Sequence, residues 1–80
     1  MIRMGKQIKS EASAVLARAV AVFGPGGLGL ELSERDDCHV TFSGGGGFVT
    51  VSVSTGDENT DVDVSAREWE IQAKSFVASL

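Results

Sequence analysis

The feature that most constrains the fold of this chain is a regular alternation of apolar and polar residues that extends from Cys38 to Val64. Two segments interrupt it, the four glycines Gly44–Gly47 and the polar run Gly56–Asn59. Successive side chains of a β-strand point to opposite faces, so this period of two predicts strands with one apolar and one polar face. No helix follows the glycines, so they predict a hairpin tip rather than a phosphate-binding loop.

Pairing the predicted strands tests this interpretation. A four-residue loop that sets Ser43 opposite Phe48, and a second turn that sets Thr55 opposite Thr60, each bring apolar residues onto apolar residues. An earlier strand, Leu28–Ser33, joins the sheet when Leu32 lies opposite Cys38. The apolar pairs that result are Phe42–Val49, Val40–Val51, Cys38–Val53, Val53–Val62, Val51–Val64 and Leu30–Val40. The three turns therefore predict one four-stranded antiparallel meander.

Helical periodicity flanks the meander on both sides. Residues 4–23 repeat apolar side chains at the spacing of a helix, and Gly24 followed by Pro25 predicts its end. Ser65–Glu68 fits a capping box for a second helix. The apolar stripe of that helix comprises Trp69, Ala73, Phe76, Val77 and Leu80. The predicted fold is therefore one α+β domain over residues 1–80, a two-layer sandwich of order α-β-β-β-β-α with both helices packed on one face.

The cellular setting is predicted from one cysteine and one apolar run. Cys38 is the only cysteine, which excludes an internal disulfide and favours a reducing, cytoplasmic environment. Glu11 and Arg18 interrupt the Ala/Val-rich run near the N-terminus. We therefore interpret that run as a helix of the domain, not as a signal peptide or a membrane span.

The charge distribution bears on nucleic-acid binding. The net charge is −4, and a net negative charge disfavours contacts with the phosphates of a nucleic acid. All but one of the 11 acidic residues lie beyond position 20. The basic residues before that point are Arg3, Lys6, Lys9 and Arg18. A nucleic-acid-associated dimer that uses this basic first helix therefore stays an alternative hypothesis.

The segment Asp57–Glu68 raises the possibility of a calcium site. Its oxygen-bearing side chains occupy the ligand positions of an EF-hand-type loop: Asp57, Asn59, Asp61, Asp63, Ser65 and Glu68. The sixth position of such a loop requires glycine, whereas this chain has Val62. A turn followed by a strand with outward-pointing acids explains the same residues. We expect no metal and no cofactor, and a small metal- or ligand-binding protein remains the alternative.

Two further patterns carry candidate chemistry. The predicted registers place Glu31, His39, Ser52 and Asp63 in one row on the polar face, an order that a catalytic triad or a metal trio would use. An open sheet face offers neither a pocket nor oxyanion donors, so we predict no catalytic site and no enzyme. The G-x-G-x-x-G spacing of Gly24, Gly26 and Gly29 follows a helix instead of a strand, and it predicts a helix end rather than a dinucleotide site.

Two apolar residues have no place in the predicted core. Ile71 falls on the side of the last helix opposite its apolar stripe, and Phe48 lies on the polar face or at the hairpin tip. A domain of 80 residues has a thin core that a partner would complete. The sequence therefore favours a small non-enzymatic protein-interaction module that self-associates or binds a protein, with Phe48 and Ile71 as its possible interaction surface.

Overall fold

The protein is an α+β domain with a five-stranded antiparallel sheet and two helices. The computed structural model describes residues Met1–Leu80. Its elements are β1 (Ile2–Ile8), α1 (Ala12–Phe23), β2 (Glu31–Arg35), β3 (His39–Gly44), β4 (Gly47–Thr55), β5 (Thr60–Arg67) and α2 (Glu70–Ala78). The strand order is β1-β5-β4-β3-β2. Both helices contribute to one core on one face of the sheet, as the apolar stripes predict.

The first helix is shorter than predicted, because its expected N-terminal part is a strand. β1 pairs with β5 over its whole length, from Ile2 opposite Ala66 to Ile8 opposite Thr60. The element order is therefore β-α-β-β-β-β-α, and the prediction of four strands was wrong by one. Met4 and Ile8 satisfy both the helical period and the period of two. If these residues were helical, β5 would expose a long unpaired edge. Pairing with β1 removes that edge and therefore favours a strand at residues 2–8.

The meander has the predicted register in its central part. Ser43 lies opposite Phe48 and Thr55 opposite Thr60, and Val49 and Val51 of β4 lie between apolar residues of β3 and β5. The pairing of β2 was predicted wrongly, since Leu32 lies opposite Phe42 and not opposite Cys38. This difference in register arises just after α1, where the backbone N–H groups of residues 27–30 donate hydrogen bonds to the carbonyls of residues 22–24. Leu28 and Leu30 thus belong to the turn that ends the helix, and β2 begins only at Glu31.

The glycine segment is a hairpin tip, as predicted, although its loop has only two residues. Gly45 and Gly46 have φ of 59° and 80°, and the pair Gly44–Gly47 closes them. Positive φ at both central residues is the requirement of the type I′ turn that suits the twist of a hairpin. The four glycines are therefore explained by local backbone geometry.

The connection between β5 and α2 differs from the predicted capping box. β5 continues through Arg67, because β4 pairs with it up to Arg67 and β1 pairs with it up to Ala66. Glu68 then turns the chain with φ of 70°, and Trp69 precedes the helix without a side-chain cap. The Trp69 indole Nε1 donates instead to the carbonyl of Gly44 at 2.8 Å, which ties α2 to the tip of the β3–β4 hairpin.

The core lies between the helical layer and the apolar face of the sheet. Phe23 of α1 contacts Phe42 of β3 and Phe76 of α2, with ring centroids 5.6 and 5.3 Å apart. The remaining buried apolar residues are Val15, Leu16, Ala19, Leu30, Val40, Val49, Val51, Val53, Val62, Val64, Ala66 and Ala73. The predicted stripe of α2 is confirmed, because Ala73 and Phe76 are buried and its other members pack against the core.

Candidate interaction surfaces

Ile71 is the most exposed large apolar residue, with 79% of its surface accessible. It lines a groove of about 490 Å³ between the end of α1 and the length of α2. Leu28, which is 44% exposed, lies in the same groove. Ala21, Val22 and Phe76 complete its apolar lining. Ile71 is thus part of an apolar groove in the helical layer.

Phe48 lies elsewhere. It alternates with the buried Val49 along β4, so its side chain is on the face of the sheet that the helices leave open. Ser43 and Arg67 lie opposite it on the two neighbouring strands, and its side chain is half-buried. The structure therefore places the two predicted interaction residues on opposite sides of the molecule.

β1 presents a second kind of surface, which the sequence interpretation missed by assigning these residues to a helix. It pairs with β5 on one side only, so its other edge is one of the two free edges of the sheet. Ile2, Met4, Lys6 and Ile8 alternate with exposed residues and are half-buried under α2. The period of two at positions 2–8 was the signal that could have identified the strand.

The basic N-terminal residues do not form a basic helix. Arg3 and Lys6 lie on β1, and only Arg18 belongs to α1. The Lys6 Nζ donates to the carbonyls of Leu80 at 2.8 Å and Val77 at 3.3 Å, so it fastens the end of α2 to the sheet. The basic residues therefore do not share the single first helix that the sequence predicted for them.

The predicted row of polar residues forms only in part. His39, Ser52 and Asp63 lie side by side on three neighbouring strands, whereas Glu31 lies opposite Ser43, away from this row. Asp63 accepts two hydrogen bonds at 2.7 and 3.0 Å from the guanidinium of Arg3. The hydrogen bond and the charge of Asp63 raise the pKa of Arg3. Asp63 is therefore engaged by Arg3, and His39, Glu31 and Asp63 do not form the trio that was considered as a weak metal site.

His39 instead lies between two other carboxylates. Its Nε2 is 2.9 Å from Oε1 of Glu34, and its Nδ1 is 2.8 Å from Oδ2 of Asp36. The hydrogen bond to Glu34 is the largest cause that raises the pKa of His39, and the charges of both carboxylates act in the same direction. The other oxygen of Asp36 accepts the backbone N–H groups of Cys38 and His39, which lowers the pKa of Asp36. Sequence reasoning placed His39 correctly but identified neither carboxylate partner.

The acidic segment does not form the loop that a calcium site of the EF-hand type requires. Residues 60–67 are a paired strand, so Asp61 and Asp63 point to the open face and Val62 points into the core. A polar crevice remains at the turn before β5, lined by Gln7, Gly56, Asp57, Glu58, Asn59 and Asp61. No cluster of three or more His, Cys, Asp or Glu side chains is arranged to hold a metal ion.

The comparisons with other proteins found no match to this chain among protein-family models, curated proteins or solved structures. Neither helix has the length and apolar character needed to cross a membrane.

Proposed function

We propose that this protein is a small non-enzymatic interaction module that self-associates through the edge of β1. The observation that carries the proposal is that β1 is a regular strand with one free edge, seven residues long and continuously paired with β5 on its other side. A free edge of this kind is a template for pairing with another strand. The occupant we propose is β1 of a second copy.

The two edges of the sheet differ in a way that supports this choice. β2 has five residues, carries a bulge at Ser33, and exposes Glu31, Glu34 and Arg35. Short length, bulges and charges are the features by which proteins prevent edges from pairing. β1 contains no bulge and no proline, and its half-buried residues are mainly apolar. Only one edge is therefore suited to pairing.

The sequence of β1 is complementary to itself in the antiparallel direction. A two-fold axis at Gly5 pairs all seven residues and sets Ile2 opposite Ile8 and Met4 opposite the aliphatic stem of Lys6 of the second copy, on the same face as the helices. On the open face, Arg3 lies opposite the neutral Gln7, so no like charges meet. An axis at Lys6 would bring two lysines together. Cross-strand apolar pairs of this kind contribute about 0.2–1 kcal/mol each.

The helical layer would continue across such a contact. α1 packs on β3 and β4, and α2 packs on β5 and β1, so each helix covers two strands. The axes of two neighbouring helices that each cover two strands are two strand spacings apart, or about 9.6 Å. This distance falls within the 8–10 Å that separates the axes of packed helices. The α2 helices of two copies would then be neighbours at the same spacing as α1 and α2 within one copy.

A non-enzymatic role is supported by how the candidate catalytic groups are occupied. Both ring nitrogens of His39 face carboxylates, and Asp63 is held by Arg3. Neither is positioned to activate Ser52. We propose a cytoplasmic setting because Cys38 is a free, exposed thiol.

The test is the oligomeric state of matched variants, measured by analytical ultracentrifugation at micromolar to millimolar concentrations. Gly5 lies on the open face without a positive φ, and an added Cβ would make only an ordinary contact with the Val62 carbonyl. The monomer should therefore tolerate both Gly5→Lys and Gly5→Val. We expect Gly5→Lys to weaken the dimer, because two lysines would meet at the axis, and Gly5→Val to strengthen it.

Ile71→Asp and Phe48→Ser are the controls for the other two candidate surfaces, and we expect them to leave the dimer unchanged. A wild-type protein that stays monomeric at millimolar concentration would contradict self-association altogether. A dimer that persists in Gly5→Lys but dissociates in Ile71→Asp would instead place the contact in the helical groove, and dissociation in Phe48→Ser would place it on the open face.

A further inference from the structure

The geometry points to a proton-dependent clamp on the second sheet edge. We infer that Glu34, His39 and Asp36 fasten β2 to β3 when the imidazole of His39 is protonated, and release part of this fastening when it is neutral. This inference is independent of the contact proposed for β1.

The positions of the two carboxylates require a doubly protonated ring. Each ring nitrogen of His39 lies within 2.9 Å of a carboxylate oxygen, Glu34 on one side and Asp36 on the other. An ionised carboxylate only accepts hydrogen bonds, and a neutral imidazole has only one N–H to donate. Both contacts are therefore favourable at the same time only in the imidazolium. Loss of one proton to solvent leaves a nitrogen lone pair facing a carboxylate.

The bulge in β2 is what brings Glu34 to His39. Leu32 lies opposite Phe42 and Glu34 opposite Thr41, so Ser33 is an extra residue between these two pairs. In a regular ladder without the bulge, Glu34 would lie opposite Val40 and point to the helical face. A bulge reverses the side to which the following residues point. The Ser33 hydroxyl holds the bulge by contacts to the Thr41 carbonyl and the Ser43 hydroxyl at 3.2 and 2.7 Å.

The second carboxylate connects the same histidine to the turn between the two strands. Asp36 accepts the N–H groups of Cys38 and His39 at 2.7 and 2.8 Å, which fixes the turn, while its other oxygen faces the ring. His39 thus links the edge strand through Glu34 and the turn through Asp36. No other side-chain ion pair joins β2 to the rest of the sheet.

The surroundings of His39 supply no competing cation. β4 presents the neutral Ser52 directly opposite it, and the next residue in that row is Asp63 of β5, which pairs with Arg3 of β1. The helices lie on the other face of the sheet. The charged groups that face the ring are therefore the carboxylates of Glu34 and Asp36, and both favour its protonated form.

The first measurement is a pH titration of the two ring nitrogens of His39 by long-range ¹H–¹⁵N NMR. The single histidine makes the assignment unambiguous. We expect both nitrogens to stay protonated above the ordinary histidine range, and Glu34→Gln to lower the midpoint. Asp61→Asn removes one negative charge elsewhere and should leave the midpoint unchanged. A midpoint that Glu34→Gln does not lower would contradict the clamp.

The second measurement is amide hydrogen exchange of Glu34, which lies opposite Thr41, and of Asp36, whose N–H donates to the His39 carbonyl at 2.9 Å, corrected for the intrinsic effect of pH. As the ring loses its proton, we expect protection in β2 to fall on the order of two- to fivefold, the range that corresponds to coupling between partly exposed ion pairs. Amides of β5 serve as the internal reference. His39→Gln should abolish the change. Equal protection of β2 on both sides of the titration would show that the cluster is only a static contact and would overturn the inference.

Discussion

At the residue scale, the four consecutive glycines serve three different purposes. Gly45 and Gly46 are needed for positive φ in the two-residue turn. Gly44 makes room for the side chain of Leu30, which a Cβ would approach to 2.7 Å. Gly47 makes room for the backbone, since a Cβ there would overlap the carbonyl oxygen of Arg67. A run that looks flexible in the sequence is therefore tightly packed at both of its ends.

We predict that Gly47→Ala destabilises the protein by about 1–3 kcal/mol, because backbone atoms cannot yield as a flexible side chain can. Urea unfolding followed by Trp69 fluorescence measures the change. The matched control is Gly26→Ala, since a Cβ at Gly26 meets nothing within 4 Å and Gly26 has no positive φ. Equal stability of the two variants would contradict the close approach at Gly47.

At the scale of elements, β1 and α2 depend on each other. α2 has no side-chain cap at its start and no basic residue in its last turn. Lys6 supplies the missing positive charge from β1 by donating to the carbonyls of Val77 and Leu80. Cations near the C-terminus of a helix are stabilising. The side chain that looks like part of a basic patch in the sequence is therefore a helix cap in the folded protein.

We predict that Lys6→Met destabilises the protein by about 1 kcal/mol, through loss of the hydrogen bonds to the end of α2 while the aliphatic packing is kept. Lys9→Met is the control, because Lys9 is exposed and lies outside β1. Thermal unfolding monitored by circular dichroism compares the two variants. A larger loss of stability in Lys9→Met than in Lys6→Met would show that the change in net charge, and not the loss of the cap, determines the destabilisation.

At the scale of the whole molecule, the His39 cluster makes stability depend on pH in a defined direction. The pKa of His39 is raised above its ordinary value of 6.5, so its contribution is complete below about pH 6.5 and is lost as the pH rises through the raised pKa. The pKa of Asp36 is lowered below 3.8, so its contribution is present above that value and is lost as the pH falls through the lowered pKa.

We therefore predict that the difference in unfolding free energy between the wild type and His39→Gln is largest at mildly acidic pH and shrinks as the solution becomes alkaline. Urea titrations of both proteins, at several pH values from mildly acidic to alkaline, measure this difference in unfolding free energy. Subtracting the variant removes the contributions of the other titrating groups. A difference that grows with pH would mean that the folded protein favours the neutral ring.

The pattern of residues along the chain is sufficient to predict the centre of the sheet and the inner faces of α1 and α2. Alternation of valines with hydroxyl residues in β4 and β5 allows one register only, because a shift by one residue would expose every apolar side chain. The glycine run and the turn before β5 agree with that register. These features are local, or involve strands that are neighbours along the chain.

The two edges of the sheet and the partners of His39 depend on contacts that the local pattern of residues does not specify. The apolar residues at positions 2–8 fit a helix and a strand equally well, and what selects the strand is β5, which lies more than 50 residues away and would otherwise be a bare edge. The bulge at Ser33 depends on contacts across to β3, and it alone places Glu34 beside His39. Pairing between distant segments decides such features, because the local periodicity is compatible with more than one backbone conformation.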